Sequence, residues 1–248
     1  TKPPFFVTMP PIMAPTGNKK LSKRDGAKDL LEYHKEGYLP EAMTNYLAFL
    51  GFNPGGEREV YKGDELTQVF ELEKIQRSGA KWSDDKLNWF NKEHIKKLSS
   101  EDFWNHAEPF LPNMDIDDLQ GKEQVIRERI EKFSDIEKFF IEGGELYFFF
   151  HEPEYPKEKL LYKNSTPEKI STNLKLAIKV LEDVSEENFT MENVKKVLMQ
   201  IADSLESRGE LLHPVRYALS GKDKSPDPFI IAEILGKNET LFRLQKAI

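Results

Sequence analysis

From residue 26 onward the apolar residues recur three and four positions apart, in stretches cut by glycine and proline, a pattern that admits amphipathic helices and little else. Ile170, Leu174, Ala177, Ile178 and Leu181 make one stripe, and Val194, Val197, Leu198, Ile201 and Leu205 another. Local signals set the ends. Gly37 closes a predicted helix over residues 27–36, and Pro40 opens a second whose face is Leu39, Met43, Leu47 and Leu50, ending at Gly51. Ser83 caps a helix carrying Leu87, Phe90, Ile95 and Leu98, and Ser100 caps one carrying Phe103, Trp104 and Ala107. Ser134-Asp-Ile-Glu137 has capping-box spacing, and Ser165-Thr-Pro-Glu and Thr190 start the two stripes. From Gly209 to the end, Gly209, Pro214, Gly221, Pro226, Pro228 and Gly236 predict short helical runs joined by tight turns. Residues 5–13 differ: proline there removes ladder donors, so they form a short strand or an irregular edge. The predicted fold is mainly α, a compact bundle without a fixed repeat.

Composition narrows the function. With 17 Phe, 8 Tyr and 3 Trp among 248 residues the chain can bury a sizeable core, which excludes wholesale disorder. No apolar run approaches the ~20 residues that cross a bilayer, and the T-K-P-P-F-F start lacks a secretory leader. A start at Thr rather than Met points to a processed or excised piece. The absence of cysteine removes disulfides, thiol catalysis and cysteine-based zinc sites. His34, His94 and His106 share no metal-ligand spacing, so no zinc is expected and no metal-site residue is assigned. Adjacent carboxylates at Asp84-Asp85 and Asp117-Asp118 read as helix-start charge rather than acid–base machinery. The net charge of −7 is uneven: residues 1–98 hold 16 cations against 14 anions, while residues 99–163 hold 8 against 16. An acidic middle opposes a uniformly basic RNA-binding surface, so either the cations gather on one face or RNA is bound weakly, while residues 18–24, with four cations and no anion, form a cluster that would draw an anionic ligand first.

That cluster begins in I-M-A-P-T-G-N-K-K-L-S-K-R-D-G-A, residues 12–27. Pro15-Thr-Gly-Asn18 reads as a turn, which puts the cations on a loop ahead of the predicted helix at 27, where free amides and the helix dipole favour an anion. Lys20, Ser22 and Lys23 can offer ammonium and hydroxyl donors to a polyphosphate. A run this short is also the pattern of a solvated surface loop. It is not a Walker loop, because no G-x-x-x-x-G-K-[ST] occurs.

The K-L-S-K-R run at residues 20–24, preceded by I-M-A-P-T-G, resembles the K-M-S-K-S signature of class I aminoacyl-tRNA synthetases in its glutamyl form. G-Y-L-P-E-A-M-T-N-Y-L-A-F-L-G at residues 37–51 is similar to the segment that follows there, as are F-E-L-E-K-I-Q-R-S-G-A-K-W-S-D-D-K-L-N-W-F-N at 70–91 and H-P-V-R-Y-A-L-S-G at 213–221. The order holds along the whole chain, and the match is to the C-terminal portion of bacterial-type glutamyl-tRNA synthetases. The second signature of the class, H-x-G-H, is missing.

The resemblance implies a helical stem-contact region with the ATP loop at residues 1–98, and a two-part anticodon-binding bundle at 99–163 and 164–248. It implies ATP with magnesium, glutamate and tRNA as partners of the intact cytoplasmic enzyme, with tRNA held at its anticodon arm and inner stem, and neither DNA nor membrane. Growing charge on the leaving phosphates would be met by Lys23, supported by Lys20, with Ser22 orienting the loop. The chain alone is expected not to activate glutamate.

For the anticodon, Arg127, Arg129, Arg208, Arg216 and Arg243 are planar multidonor candidates. The resemblance singles out Arg216, with Ser225, Pro226 and Pro228 in the neighbouring turn, and more loosely Arg127 and Arg129; the alternative for those two is pairing with Glu128, Glu131 or Asp135 on a helix face. Lys86, Asn88, Asn91 and Lys92 are candidates for the inner corner of the tRNA. Trp82, Trp89, Phe90, Trp104 and residues 147–150 are expected in the core. Two rivals remain: a non-enzymatic helical RNA-binding or scaffolding protein, and a glutaminyl enzyme, whose β-barrel rear half this helical pattern disfavours.

Overall fold

The structure, a computed structural model, describes residues 3, 6–17, 19–112, 116–119 and 121–248, leaving aside the side chains of residues 25, 117 and 118. Phe5, Asn18 and the Asp117-Asp118 carboxylates read above therefore lie outside the described residues. Among the described residues the regular elements are helices, and β pairing is limited to isolated bridges. The chain divides into two compact units, Thr1–Glu137 and Lys138–Ile248.

In the first unit α1 (Leu30–Lys35) starts three residues later than predicted, because Asp29 is the cap. Its carboxylate accepts the Leu31 amide at 3.0 Å and Glu32 accepts the Asp29 amide at 3.0 Å, a complete capping box. α2 (Pro40–Phe49) buries Leu39, Ala42, Met43, Tyr46 and Leu50. Leu47, expected on that face, is 40 % exposed; Tyr46 takes the inner position. Its ring enters the core while its hydroxyl accepts the Ser83 amide at 2.8 Å and donates to the Ser83 carbonyl at 3.1 Å, so burial leaves no orphaned polar group.

α3 (Gly63–Val69) packs on α2. α4 (Asp84–Ile95) begins at Ser83, whose hydroxyl accepts the Lys86 amide at 3.2 Å, and presents Leu87 and Phe90, each fully buried, to α2. Each such side chain contributes about 2 kcal/mol by leaving water. Tyr33, Tyr38, Met43, Tyr46, Leu50 and Trp82 complete that core. Trp89 stands outside it, 38 % exposed, with the Lys86 ammonium 4.3 Å from its ring centroid. α5 (Ser100–Ala107) is capped by Ser99 rather than Ser100, the Ser99 hydroxyl accepting the Asp102 amide at 3.0 Å. α6 (Glu123–Arg127) follows, and α7 (Asp135–Phe140) spans the division between the units.

In the second unit α8 (Pro167–Glu182), α9 (Met191–Ala202), α10 (Gly209–Ser220) and α11 (Pro228–Lys246) pack on one another. The predicted stripe on α8 is the one it buries, and Thr166 and Thr190 cap α8 and α9. The short runs predicted after Gly209 are instead two long elements. Pro214 lies inside α10, where it cannot donate to the carbonyl four residues back; that carbonyl, of Glu210, accepts from the Asn173 amide of α8 at 3.0 Å. The neighbouring helix supplies the bond that proline withholds. Gly236 does break its helix: at φ 75° and ψ 168° it divides α11 into two segments, a conformation open to glycine alone.

Candidate nucleic-acid interface

The lysine loop is shaped by backbone pairing. The Leu21 amide donates to the Ile12 carbonyl at 2.8 Å and the Ala14 amide to the Lys19 carbonyl at 2.9 Å, so the two arms run antiparallel. One arm is fixed to a second segment: the Met13 amide donates to the Ala80 carbonyl and the Trp82 amide to the Met13 carbonyl, each at 2.9 Å. Gly17 turns the corner at φ 76°, with the Lys81 stem lying where a side chain would stand. Leu21 then packs against the aromatic core, and extended alternation puts Lys20 and Ser22 on the opposite, exposed side. Lys23, also exposed, opens a 3-10 turn, Lys23–Asp25. Among the described residues no carboxylate pairs with Lys20 or Lys23.

One expectation for this loop is corrected. The amides of the following helix do not wait for an anion, because the Asp29–Glu32 capping box already occupies that end and adds negative charge.

Arg127 is internal to the first unit, only 6 % exposed. Its guanidinium donates to the carbonyls of Ile95 at 2.6 Å and Ser99 at 2.9 Å, pairs with Glu123 at 2.6 Å and lies 4.2 Å from the Phe103 ring centroid. The Ile95 bond receives a carbonyl from the last turn of α4, a position that would otherwise be an orphan. Arg129 is half-buried and donates to the Val125 carbonyl at 3.1 Å. Asn91, a candidate for tRNA contact, is buried: it accepts from the Leu39 amide at 2.8 Å and donates to the Glu131 carbonyl at 2.6 Å. Asn88 donates to Glu131 at 2.8 Å and Lys86 pairs with Glu59 at 2.6 Å.

The second unit brings Arg216 and Ser225 together. Nη1 of Arg216, on α10, reaches the Ser225 hydroxyl at 2.8 Å and the Asp223 and Lys222 carbonyls at 3.1 and 3.3 Å, bracing the turn into α11. Nε and Nη2 have no partner among the described residues, and the side chain is half-buried. Pro226 and Pro228 are buried; Pro228 is the first residue of α11, where its fixed φ is already helical. These rings shape the turn from inside. Asp223 is anchored by Lys159, 3.1 Å away, and by the Tyr217 hydroxyl, and the Lys159 ammonium beside it holds its carboxyl below the usual carboxylate range. Burial raises the Tyr217 phenol, with Asp223 adding to the shift. Arg243 resembles Arg127: 4 % exposed, it donates to the Phe148 and Leu219 carbonyls at 2.8 and 2.7 Å. Arg208 is exposed and paired with Asp203 at 2.6 Å.

The family model for the anticodon binding domain matches residues 102–248, more than half of the chain. The chain belongs to that family. The model for tRNA synthetases class I (E and Q), catalytic domain, matches residues 2–89, the stretch that holds the lysine loop. Among curated relatives, the glutamate-tRNA ligase of Clostridium botulinum strain Hall is 37 % identical over 254 residues, covering 99 % of this chain and 50 % of the relative. That of Christiangramia forsetii is 36 % identical, covering 99 % and 51 %. The chain spans about half the length of the curated relatives it matches. Among solved structures, a glutamate tRNA ligase from Elizabethkingia meningosepticum, in complex with its amino acid, superposes with a TM-score of 0.75 at 29 % identity, covering 99 % of this chain and 51 % of that one. The mainly α anticodon-binding architecture and the place among glutamate-tRNA ligase homologues both stand on these likenesses.

Leu21 and Lys81 were missed at the sequence level. The K-L-S alternation signalled the first; the second depends on a contact with Gly17 that no local pattern announces.

Proposed function

We propose that this chain is the tRNA-binding part of a cytoplasmic glutamate-tRNA ligase, gripping the anticodon arm with residues 99–248 and presenting the lysine loop to ATP. Within that reading residues 1–98 contact the inner stem, and residues 99–163 and 164–248 form the two parts of the anticodon-binding region. The observation that carries it is the Arg216 turn: a guanidinium fixed to Ser225 through Nη1, with Nε and Nη2 unpartnered among the described residues, inside the segment matched by the anticodon-binding family. A planar donor set held by its other edge suits the pairing edge of an unstacked base. Arg129 is retained as a second base contact; Arg127, its donors taken by Ile95, Ser99 and Glu123, positions α4 and α6 instead.

Lys23, with Lys20 beside it, would meet the ATP phosphates, where ammonium groups offset charge growing on the leaving group. Their exposure and lack of described carboxylate partners fit that role. Magnesium would come with ATP in the intact enzyme, held largely by the phosphates themselves.

The test is a footprint of glutamate-accepting tRNA by the chain. Protection of the anticodon loop by the wild type, lost with Arg216→Ala, is the expected result. Unchanged anticodon protection in the variant would remove Arg216 from the reading, and an unprotected loop in the wild type would end it.

A further inference from the structure

Met13 is bridged on both sides. Lys20 stands opposite it across the antiparallel arm of the lysine loop and Lys81 across the parallel segment after Ala80, so the three residues form one row. Bridged residues put their side chains on the same face of such a patch, and their chain neighbours put theirs on the other. The neighbours fix which face is which: Ile12, Leu21, Ala80 and Trp82 all pack into the aromatic core. Lys20, Met13 and Lys81 therefore share the outward face. With ~4.8 Å between neighbouring strands, the two lysine Cα atoms lie about 10 Å apart, and each flexible stem can bring its ammonium to a group held over Met13.

The Lys81 side chain leans toward the loop. Its Cε and Nζ fill the space over Gly17 where a Cβ would stand, so the ammonium is brought to the turn itself. Lys81 is exposed, and no carboxylate pairs with it among the described residues. Other cations of the first unit are neutralised locally, Lys86 by Glu59 and Arg58 by Glu65. Like charges gathered on one face without carboxylates raise the local potential, and a polyanion relieves it.

We infer that Lys81 is a third cation of this loop, contacting the same polyphosphate as Lys20 and Lys23. The inference rests on the ATP-loop reading above and adds to it a residue far along the chain, outside the K-L-S-K-R run.

The test titrates the full chain with inorganic tripolyphosphate at low salt, where screening is weak, and follows binding by calorimetry. Lys81→Met keeps an apolar stem over Gly17 and removes only the charge, so the shape of the turn is retained. It is expected to weaken tripolyphosphate about tenfold, as Lys20→Met and Lys23→Met do. Lys175→Met, which removes an exposed charge from α8 in the second unit, binds as the wild type does. Glutamate-accepting tRNA binds Lys81→Met with wild-type affinity, which separates a triphosphate contact from a contact to the RNA backbone. Wild-type affinity of Lys81→Met for tripolyphosphate, with Lys20→Met and Lys23→Met weakened, overturns the role of Lys81 and leaves the loop reading standing. An equal loss in Lys175→Met, the mark of net charge alone, or a loss on tRNA in place of tripolyphosphate, overturns it as well. If the wild type does not bind tripolyphosphate, or every variant binds as the wild type does, Lys81 and the loop reading fall together.

Discussion

The lysine loop and the Arg216 turn both place cations on a turn, and they are held by opposite means. In the loop the shape comes from backbone bonds to Ile12 and Ala80 and from Leu21 in the core, while no carboxylate among the described residues pairs with the Lys20 or Lys23 side chain. In the turn the cation is the brace, tying Ser225 and two carbonyls to α10. Removing a loop lysine takes away charge; removing Arg216 takes away charge and shape together. The same distinction separates Arg216 from Arg127, whose Nε, Nη1 and Nη2 all donate inside the protein, and from Arg243, buried with Nη1 on two carbonyls and Nε on Glu239.

The comparison is sharpened first where bracing is complete. Arg127→Ala leaves the Ile95 and Ser99 carbonyls and Glu123 without their donor, and urea unfolding should register a loss of about 3 kcal/mol. Asn173→Ala strands the Glu210 carbonyl opposite Pro214, so the second unit should lose about 2 kcal/mol in the same measurement. A third effect follows pH. His94 is buried against Asn45, at 3.1 Å, and burial lowers its pKa below the ordinary 6.5. The unfolded chain then binds the proton more readily than the folded one, so stability is kept above pH 6.5 and falls as the pH drops through the lower folded value. His94→Gln should flatten that slope in thermal unfolding followed against pH. Smallest is the loop: Lys20→Ala with Lys23→Ala should shift unfolding by no more than about 0.5 kcal/mol, because neither side chain has a described partner.

Where the signals were local, the fold was legible. The stripe on α8 and the caps at Ser83, Thr166 and Thr190 need only neighbours within a turn or two. The Asp29-x-x-Glu32 box was present too, and reading it would have moved the start of α1 to its true place and removed the anion expected there. Pro214 was illegible because its remedy, Asn173, lies on another helix. Leu47 was chosen over Tyr46 because apolar spacing weighs a phenol as polar, although its ring is core once Ser83 satisfies the hydroxyl. At the site, residue types marked the lysine loop as a candidate and the resemblance singled out Arg216 among five arginines, but which arginines are spent on carbonyls depends on contacts between distant segments. Arg127 and Arg216 look alike until those contacts are known.

The most direct test weighs the two turns against each other on one ligand. Glutamate-accepting tRNA is titrated with the wild type, with Arg216→Ala, and with the Lys20→Ala, Lys23→Ala pair. The account predicts about a tenfold loss of affinity for Arg216→Ala and wild-type affinity for the lysine pair. Equal losses in both, or a loss confined to the lysine pair, would contradict it.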